Sequence, residues 1–457
     1  MLAKTAWHVL LAIGAILTIA LLLFNNQLYR VTPPTPAYTP SDAEDEITED
    51  GALVVLPSVI ADTHQPILSA STSTGTYFRI DFAGRRAINP SIIPHPERDN
   101  IWIVTAQLHE ERAPDQPRVW FAELVCNAAF LNSSSSGGGR RTRTHTLKCI
   151  DPPLILPIAA TPSDSTKCTG EQAYFALSIG PHDARTFYGP DGPYTIYGST
   201  SQFTCFGQWL LDFRLLVDWG MGTIDAHGGS FRQPTELQRP PPYRAVEKNW
   251  FLFWDAENKP YVHHDIAPAR TFATLESDGS VGADLAPIAA VTDGPCLQRL
   301  LPALTDPAEE SIHQATNALS ITLCARRDPT CVPDDSNTFI LTIVQYKTFR
   351  NFRSSYEPYA LLFRRVAPFD IYGLSAKPLW IAGRKHYTAL APDEEFARSN
   401  EMLYVTSISW KALGQGYHGF SDDVLFISFG VEDADTAAID VVAGELVAGL
   451  GLCASGP

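Results

Sequence analysis

No two cysteines in this 457-residue chain stand at Cys-x-x-Cys spacing, so the usual signature of a structural zinc site is missing. Positive charge is also scarce: 34 Lys and Arg against 50 Asp and Glu leave a net charge of -16. With no basic stripe carrying interleaved aromatics, nucleic acid is set aside as a partner. Past residue 60 there is no helix-length amphipathic run and no strict repeat such as a Trp-Asp dipeptide at a fixed period. Strands and helices do not alternate as a nucleotide-binding domain requires. From Thr5 to Phe24 there is no carboxylate, Lys or Arg, and no small-x-small cleavage site follows.

That uncharged run is long enough as a helix to match a hydrocarbon layer of about 30 Å, and it reads as an uncleaved signal anchor. Lys4 on its short side places residues 1–4 in the cytosol. Residues 25–60 follow with Pro33, Pro34, Pro36 and Pro40, then Asp42, Glu44, Asp45, Glu46, Glu49 and Asp50. Such a composition favours an extended, solvated stem. Residues 61–457 are then lumenal, in a single-pass type II protein of the Golgi or endoplasmic reticulum membrane. Eight cysteines suit that oxidising compartment. Cys324 and Cys331 enclose a short polar segment and read as a disulfide-closed loop, while the other six cannot be paired from sequence. Asn132 opens a glycosylation sequon inside a Ser/Gly-rich insert running to Arg143, read as an exposed, mobile loop.

Beyond residue 60 the apolar signal comes in strand-length runs such as Ile101-Trp102-Ile103-Val104, Trp250-Phe251-Leu252-Phe253-Trp254 and Val424-Leu425-Phe426-Ile427-Ser428-Phe429. Aromatic and β-branched enrichment with Pro and Gly between runs predicts an all-β fold. The runs fall into five groups, roughly 75–130, 170–225, 245–300, 312–370 and 375–435, each long enough for a four-stranded blade. A five-bladed β-propeller follows, with a pair of β-sandwiches as the alternative. The tail Thr436 to Leu452 is either a final helix or the strand that closes the ring.

Polar residues at the inner ends of blades converge on the axis, so site candidates are sought once per group near strand ends. The first group offers Arg86 and Asn89, and the second Gly180-Pro181-His182-Asp183-Ala184-Arg185. On a strand, Asp183 and Arg185 project to one face, a carboxylate beside a fixed cation. The plain alternative is a turn aspartate with a structural arginine. The third group has Glu247-Lys248-Asn249 at the mouth of an apolar strand, the fourth His313 and Asn317, and the fifth Tyr417, His418 and Asp423. His418 equally suits a loop histidine without a role. Asp433-Ala434-Asp435 is similar to the Asp-x-Asp metal motif of nucleotide-sugar transferases, but no nucleotide domain precedes it, so no metal or other cofactor is expected.

Gly180-Pro181-His182-Asp183-Ala184-Arg185 resembles the Gly-Pro-Glu-Asp-Pro-Arg signature of glycoside hydrolase family 130, five-bladed propeller enzymes that are β-mannoside phosphorylases and hydrolases. Glu247-Lys248-Asn249 is similar to their Glu-Lys-Asn element and Asn89-Pro90 to their early Asn-Pro; related β-1,2-mannosyltransferases share the propeller. His182 and Ala184 depart from the signature. The resemblance implies a single-carboxylate inverting reaction in which Asp183 transfers the proton. Arg185 and Lys248 would neutralise a phosphate, and Asn249, Asn89 and Asp423 would meet sugar hydroxyls. The expectation is a membrane-anchored inverting glycosyltransferase using a nucleotide-sugar or sugar-phosphate donor and a glycan acceptor, with β-mannosyl-type transfer. A mannoside hydrolase or phosphorylase is the alternative, and a non-catalytic carbohydrate-binding propeller the third.

Overall fold

A computed structural model describes residues 58–109, 119–137, 140–161, 166–217, 230–350, 353–386 and 400–453, all within one compact unit spanning Gly51–Pro457. The expected tail and anchor lie outside the described residues, as does the stem apart from its last three positions. Among the described residues no helix is long and apolar enough to cross a membrane.

The protein is all-β, and its strands pair as five successive antiparallel meanders. The first comprises Ala87–Pro94, Trp102–Leu108, Glu123–Gly137 and Arg140–Cys149. His182–Gly189, Gly192–Thr200, Phe206–Asp212 and Thr235–Glu236 make the second. The third is shorter, with Phe251–Trp254, Pro260–Asp265 and Thr271–Thr274. Leu319–Thr322, Thr338–Arg350, Arg353–Arg364 and Ile371–Ser375 form the fourth. Leu403–Trp410, Val424–Val431 and Asp435–Val442 form the fifth. Its outer strand pairs antiparallel with Phe78–Asp81 through Phe78↔Ala438. Phe78–Asp81 in turn runs parallel to Arg140–Cys149 through Ile80↔Leu147, so the last meander is stitched to the first.

The cores lie between consecutive meanders. Ile93 and Ile103 pack with Tyr197 and Trp209 between first and second. Phe187 and Tyr194 join Phe251, Phe253, Ile340 and Phe363 across the second, third and fourth. Leu319 and Ile343 meet Ile408 and Ile427 between fourth and fifth. Trp102 and Leu147 meet Phe78 and Phe426 between fifth and first. Apolar neighbours on both sides explain why Ala87–Pro94, Phe206–Asp212 and Phe251–Trp254 are buried at every position instead of alternating. Sheets that each bury two faces against neighbours, with the last joined to the first, are consistent with an all-β propeller.

Two local expectations change. The Ser/Gly-rich insert extends a hairpin, Glu123–Gly137 with Arg140–Cys149, in which Asn132 stands opposite His145. Continuing an existing ladder satisfies backbone groups that an open loop would leave to water. The tail supplies the strand Asp435–Val442, a short helix Ala443–Val447 and the strand Leu450–Leu452, which pairs with Ile371–Ser375. The ring is thus closed by a strand from the N-terminal side, Phe78–Asp81. Cys324 and Cys331 are bonded, and the remaining cysteines pair as Cys126–Cys149, Cys168–Cys205 and Cys296–Cys453.

Candidate functional site

Three of the motif residues sit in the left-handed region of backbone space: Asn89 at φ 54°, Asp183 at 50° and Asn249 at 62°. Asn and Asp tolerate this region better than other side chains with a Cβ. Each lies at or just before the first strand of its meander. The ladders slip there, between Ile88 and Ser91 and between His182 and Arg185. A bulge re-aims side chains out of the sheet's two faces. The straight-strand geometry expected for Asp183 and Arg185 is therefore replaced by a bulged one.

The re-aimed groups meet. Asn89 Nδ2 donates to Asp183 Oδ1 at 2.7 Å across 94 residues. Arg185, 3% exposed, donates from Nη2 to Asn249 Oδ1 at 2.8 Å and from Nη1 to the Ala315 carbonyl at 2.5 Å. That guanidinium ties the second meander to the third and to the approach of the fourth. Lys248 is exposed, and Lys347 on Thr338–Arg350 is half-buried. Burial, then the charge of Lys248, pushes the Lys347 ammonium below its usual value, while Asp433 opposes the shift.

His313 is held down at about 3 by burial and then by Lys347, Lys248 and Arg185, so its ring is neutral. The His182 ring lies 3.7 Å from that of Phe121 and edge-on to Phe206. Burial lowers it to about 4. Asp433 is pushed up by burial, then by Asp183 and Glu432. Tyr356 and Tyr404 are raised chiefly by burial, and both feel the charges of Asp183 and Asp433.

Asp183, Asn89, Arg185, Asn249, Lys248 and His313 thus share one electrostatic neighbourhood, and the other candidates are committed elsewhere. Glu247 accepts from Arg239 Nη2 at 2.7 Å and from the Arg244 N–H at 3.0 Å, under an Arg239 guanidinium that stacks on Trp250. Asn317 spends its amide on the Ile408 backbone, donating at 2.9 Å and accepting at 3.1 Å. The Tyr417 hydroxyl accepts from the Trp254 N–H. His418 bonds Ser320 through Nδ1 and Thr322 through Nε2. Asp423 binds Arg326 of the Cys324–Cys331 loop at 2.6 Å. Arg86 is exposed, and its carbonyl accepts from the His109 N–H.

The structure brings Asp433, Lys347 and Tyr404 into the neighbourhood, together with Tyr356 of the polar Tyr356-Glu357-Pro358-Tyr359 segment that the sequence offers in the fourth group, and with Asp433 a second carboxylate. Its only sequence signal was the acidic turn after an apolar strand, while Lys347 lies mid-strand with none. Asp435 turns away to Arg79 at 3.2 Å, so the Asp-x-Asp pair does not converge. Among the described residues no three His, Cys, Asp or Glu are grouped to hold a metal.

These features define an all-β protein with a carboxylate-and-cation cluster gathered from several meanders. No family model matches the sequence, and no curated protein matches it. Solved structures similar to it include MPT-1, a GDP-Man-dependent mannosyltransferase from Leishmania mexicana, at 10% identity and TM-score 0.38 over 80% of this chain and 89% of that one. MPT-4, a mannose phosphorylase from the same organism, is similar at 12% identity and TM-score 0.41 over 87% and 94%. The β-1,2-mannobiose phosphorylase of Listeria innocua gives 12% identity and TM-score 0.36 over 82% and 92%.

Proposed function

We propose that the protein is an inverting glycosyltransferase on a five-bladed propeller, transferring a mannosyl-type residue from a nucleotide-sugar or sugar-phosphate donor to a glycan. The observation that carries this reading is the 2.7 Å bond from Asn89 to Asp183, which brings two of the three motif segments onto one carboxylate.

Asp183 takes the proton of the acceptor hydroxyl as its oxygen attacks the anomeric carbon. The bond from that carbon to the leaving phosphate breaks on the opposite face, and its electron pair departs with the phosphate. Lys248 and Lys347 receive the charge. Arg185, fixed by Asn249 and Ala315, holds a permanent positive charge beside them. Neutral His313 and the tyrosines supply hydrogen bonds without adding charge, and Asp433 accepts from sugar hydroxyls. The protein is held by residues 5–24 in a secretory-pathway membrane with this site in the lumen, an orientation that protease protection of intact vesicles tests.

The paired lysines suit inorganic phosphate equally, which keeps phosphorolysis or hydrolysis of a mannoside as the second reading. The full-length chain is incubated with GDP-mannose and a mannoside acceptor, and separately with a mannoside with and without phosphate. Nucleotide release that requires acceptor, with acceptor extension, supports transfer. Sugar phosphate formed only with phosphate supports phosphorolysis, and free sugar without it supports hydrolysis. Mannoside binding that survives Asp183→Asn, with no turnover in any arm, would leave a binding module.

A further inference from the structure

The ladder slip at His182–Arg185 leaves two successive backbone donors, the N–H groups of Asp183 and Ala184, without partners in their own sheet. Both are bonded from the neighbouring meander. Gln107 Oε1 accepts from Asp183 at 2.9 Å, and Glu123 Oε1 accepts from Ala184 at 3.1 Å. Gln107 and Glu123 are themselves cross-strand partners, facing each other on Trp102–Leu108 and Glu123–Gly137. They are 7% and 0% exposed. A matched pair of acceptors, one step apart, thus meets a matched pair of donors. Just upstream, Gly180 takes φ 98°, and a Cβ there would collide with the Phe121 carbonyl, so the same edge shapes the approach to the bulge.

We infer that Gln107 and Glu123 are positioning residues that hold the bulge and thereby aim the Asp183 carboxylate at the substrate. The inference rests on the reading of Asp183 as the proton-transfer group. Neither residue touches the Asp183 carboxylate through a hydrogen bond; both act through the backbone beneath it. An ordinary core would place apolar side chains at these two buried positions. A carboxyl there is costly unless it has work as an acceptor. Burial pushes Glu123 well above the usual carboxylate range, with the charge of Asp183 adding to the shift and the Ala184 N–H and Arg185 opposing it. Its Oε2 has no partner among the described residues. Burial thus favours the uncharged form of Glu123, and one oxygen is all the bulge uses.

A glutamine at 123 keeps that acceptor and has no charge, whereas leucine keeps the bulk and removes the acceptor. The full-length chain carrying Glu123→Gln, Glu123→Leu, Gln107→Leu or Asp183→Asn is assayed for kcat and KM in whichever arm above turns over. Hydrogen exchange is followed across residues 178–189. Glu123→Leu and Gln107→Leu are expected to lower kcat roughly 100-fold, as for a misplacement of about 1 Å, with KM little changed and exchange in the segment faster. Glu123→Gln is expected to restore both. Wild-type kcat and exchange in the leucine variants would overturn the inference. So would a Glu123→Gln as impaired as Glu123→Leu, since the acid's proton would then matter. If one leucine variant does not fold, the other and Glu123→Gln still decide. Full turnover by Asp183→Asn would instead remove the assignment of Asp183, leaving the exchange result to judge the bulge alone.

Discussion

Asn89 donates its side-chain amide to Asp183 at 2.7 Å, joining residues 94 positions apart through two left-handed backbone turns. The bond fixes one carboxylate oxygen and leaves the other to accept a proton. Asp183→Asn is expected to lower turnover by about 10² to 10⁴, the usual worth of a positioned acid or base. Asn89→Ala keeps the carboxylate and loses its donor, so kcat falls less. Steady-state kinetics on both variants checks the order.

Arg185→Lys tests the tie between meanders. A lysine ammonium cannot reach Asn249 and the Ala315 carbonyl with the fixed fork of a guanidinium. Loss of one charged hydrogen bond in the interior costs about 2–3 kcal/mol, read as a lowered urea midpoint.

Glu357 sets an acid limit on stability. Burial alone would raise its carboxyl, but Arg384 at 2.9 Å and the hydrogen bond from His64 at 3.2 Å bring it down to about 2. A carboxyl depressed in the folded state stabilises fully above its unfolded pKa and loses that contribution as pH falls from about 4.5 towards 2. The linkage is worth about 3 kcal/mol. Urea titrations at pH 6 and pH 3 should show the loss, and Glu357→Gln should shrink the difference.

His264 acts in the same direction at milder acidity. Its ring stacks on Trp250 at 4.3 Å, and burial, then Arg239 and Arg244, lower it to about 3. The unfolded chain takes up the proton first, so stability falls as pH drops below the ordinary histidine range towards 3. His264→Phe keeps the stacked shape and removes the titration. At pH 4.5 it should recover about 3 kcal/mol relative to its effect at pH 7.

Asp423→Asn and His418→Gln should leave turnover unchanged, because both side chains are occupied far from Asp183 in the hydrogen-bond network. Asp423→Asn weakens a pair whose Arg326 is 47% exposed, so its stability cost stays within about 1 kcal/mol. A marked fall in kcat for either variant would return these residues to the substrate.

Much of the strand content was legible because Trp250 to Trp254 and Val424 to Phe429 are too apolar and too β-branched or aromatic to be anything but buried strands. Asn89, Asp183 and Asn249 were legible as motif positions through the resemblance of their short segments to known motifs, and the structure shows that each takes a left-handed turn that Asn and Asp tolerate. Asn317 and Tyr417 looked equally polar and equally well placed, yet their atoms go to Ile408 and Trp254, partners that lie in other meanders. Glu123 gave no sign at all: a lone acid in an apolar run reads as an outward-facing strand residue.

Composition and local backbone preference thus determined, without coordinates, that this chain is built of short buried strands, that Cys324 and Cys331 close a small loop, and that Asp183 and Arg185 lie together in one polar segment near a strand end. The left-handed bulge at Asp183, and which polar groups surround it, were decided only by tertiary structure. Side-chain chemistry says what a residue can bond. Ladder register and the packing of one sheet on the next, summed over contacts remote in sequence, determine what stands within reach.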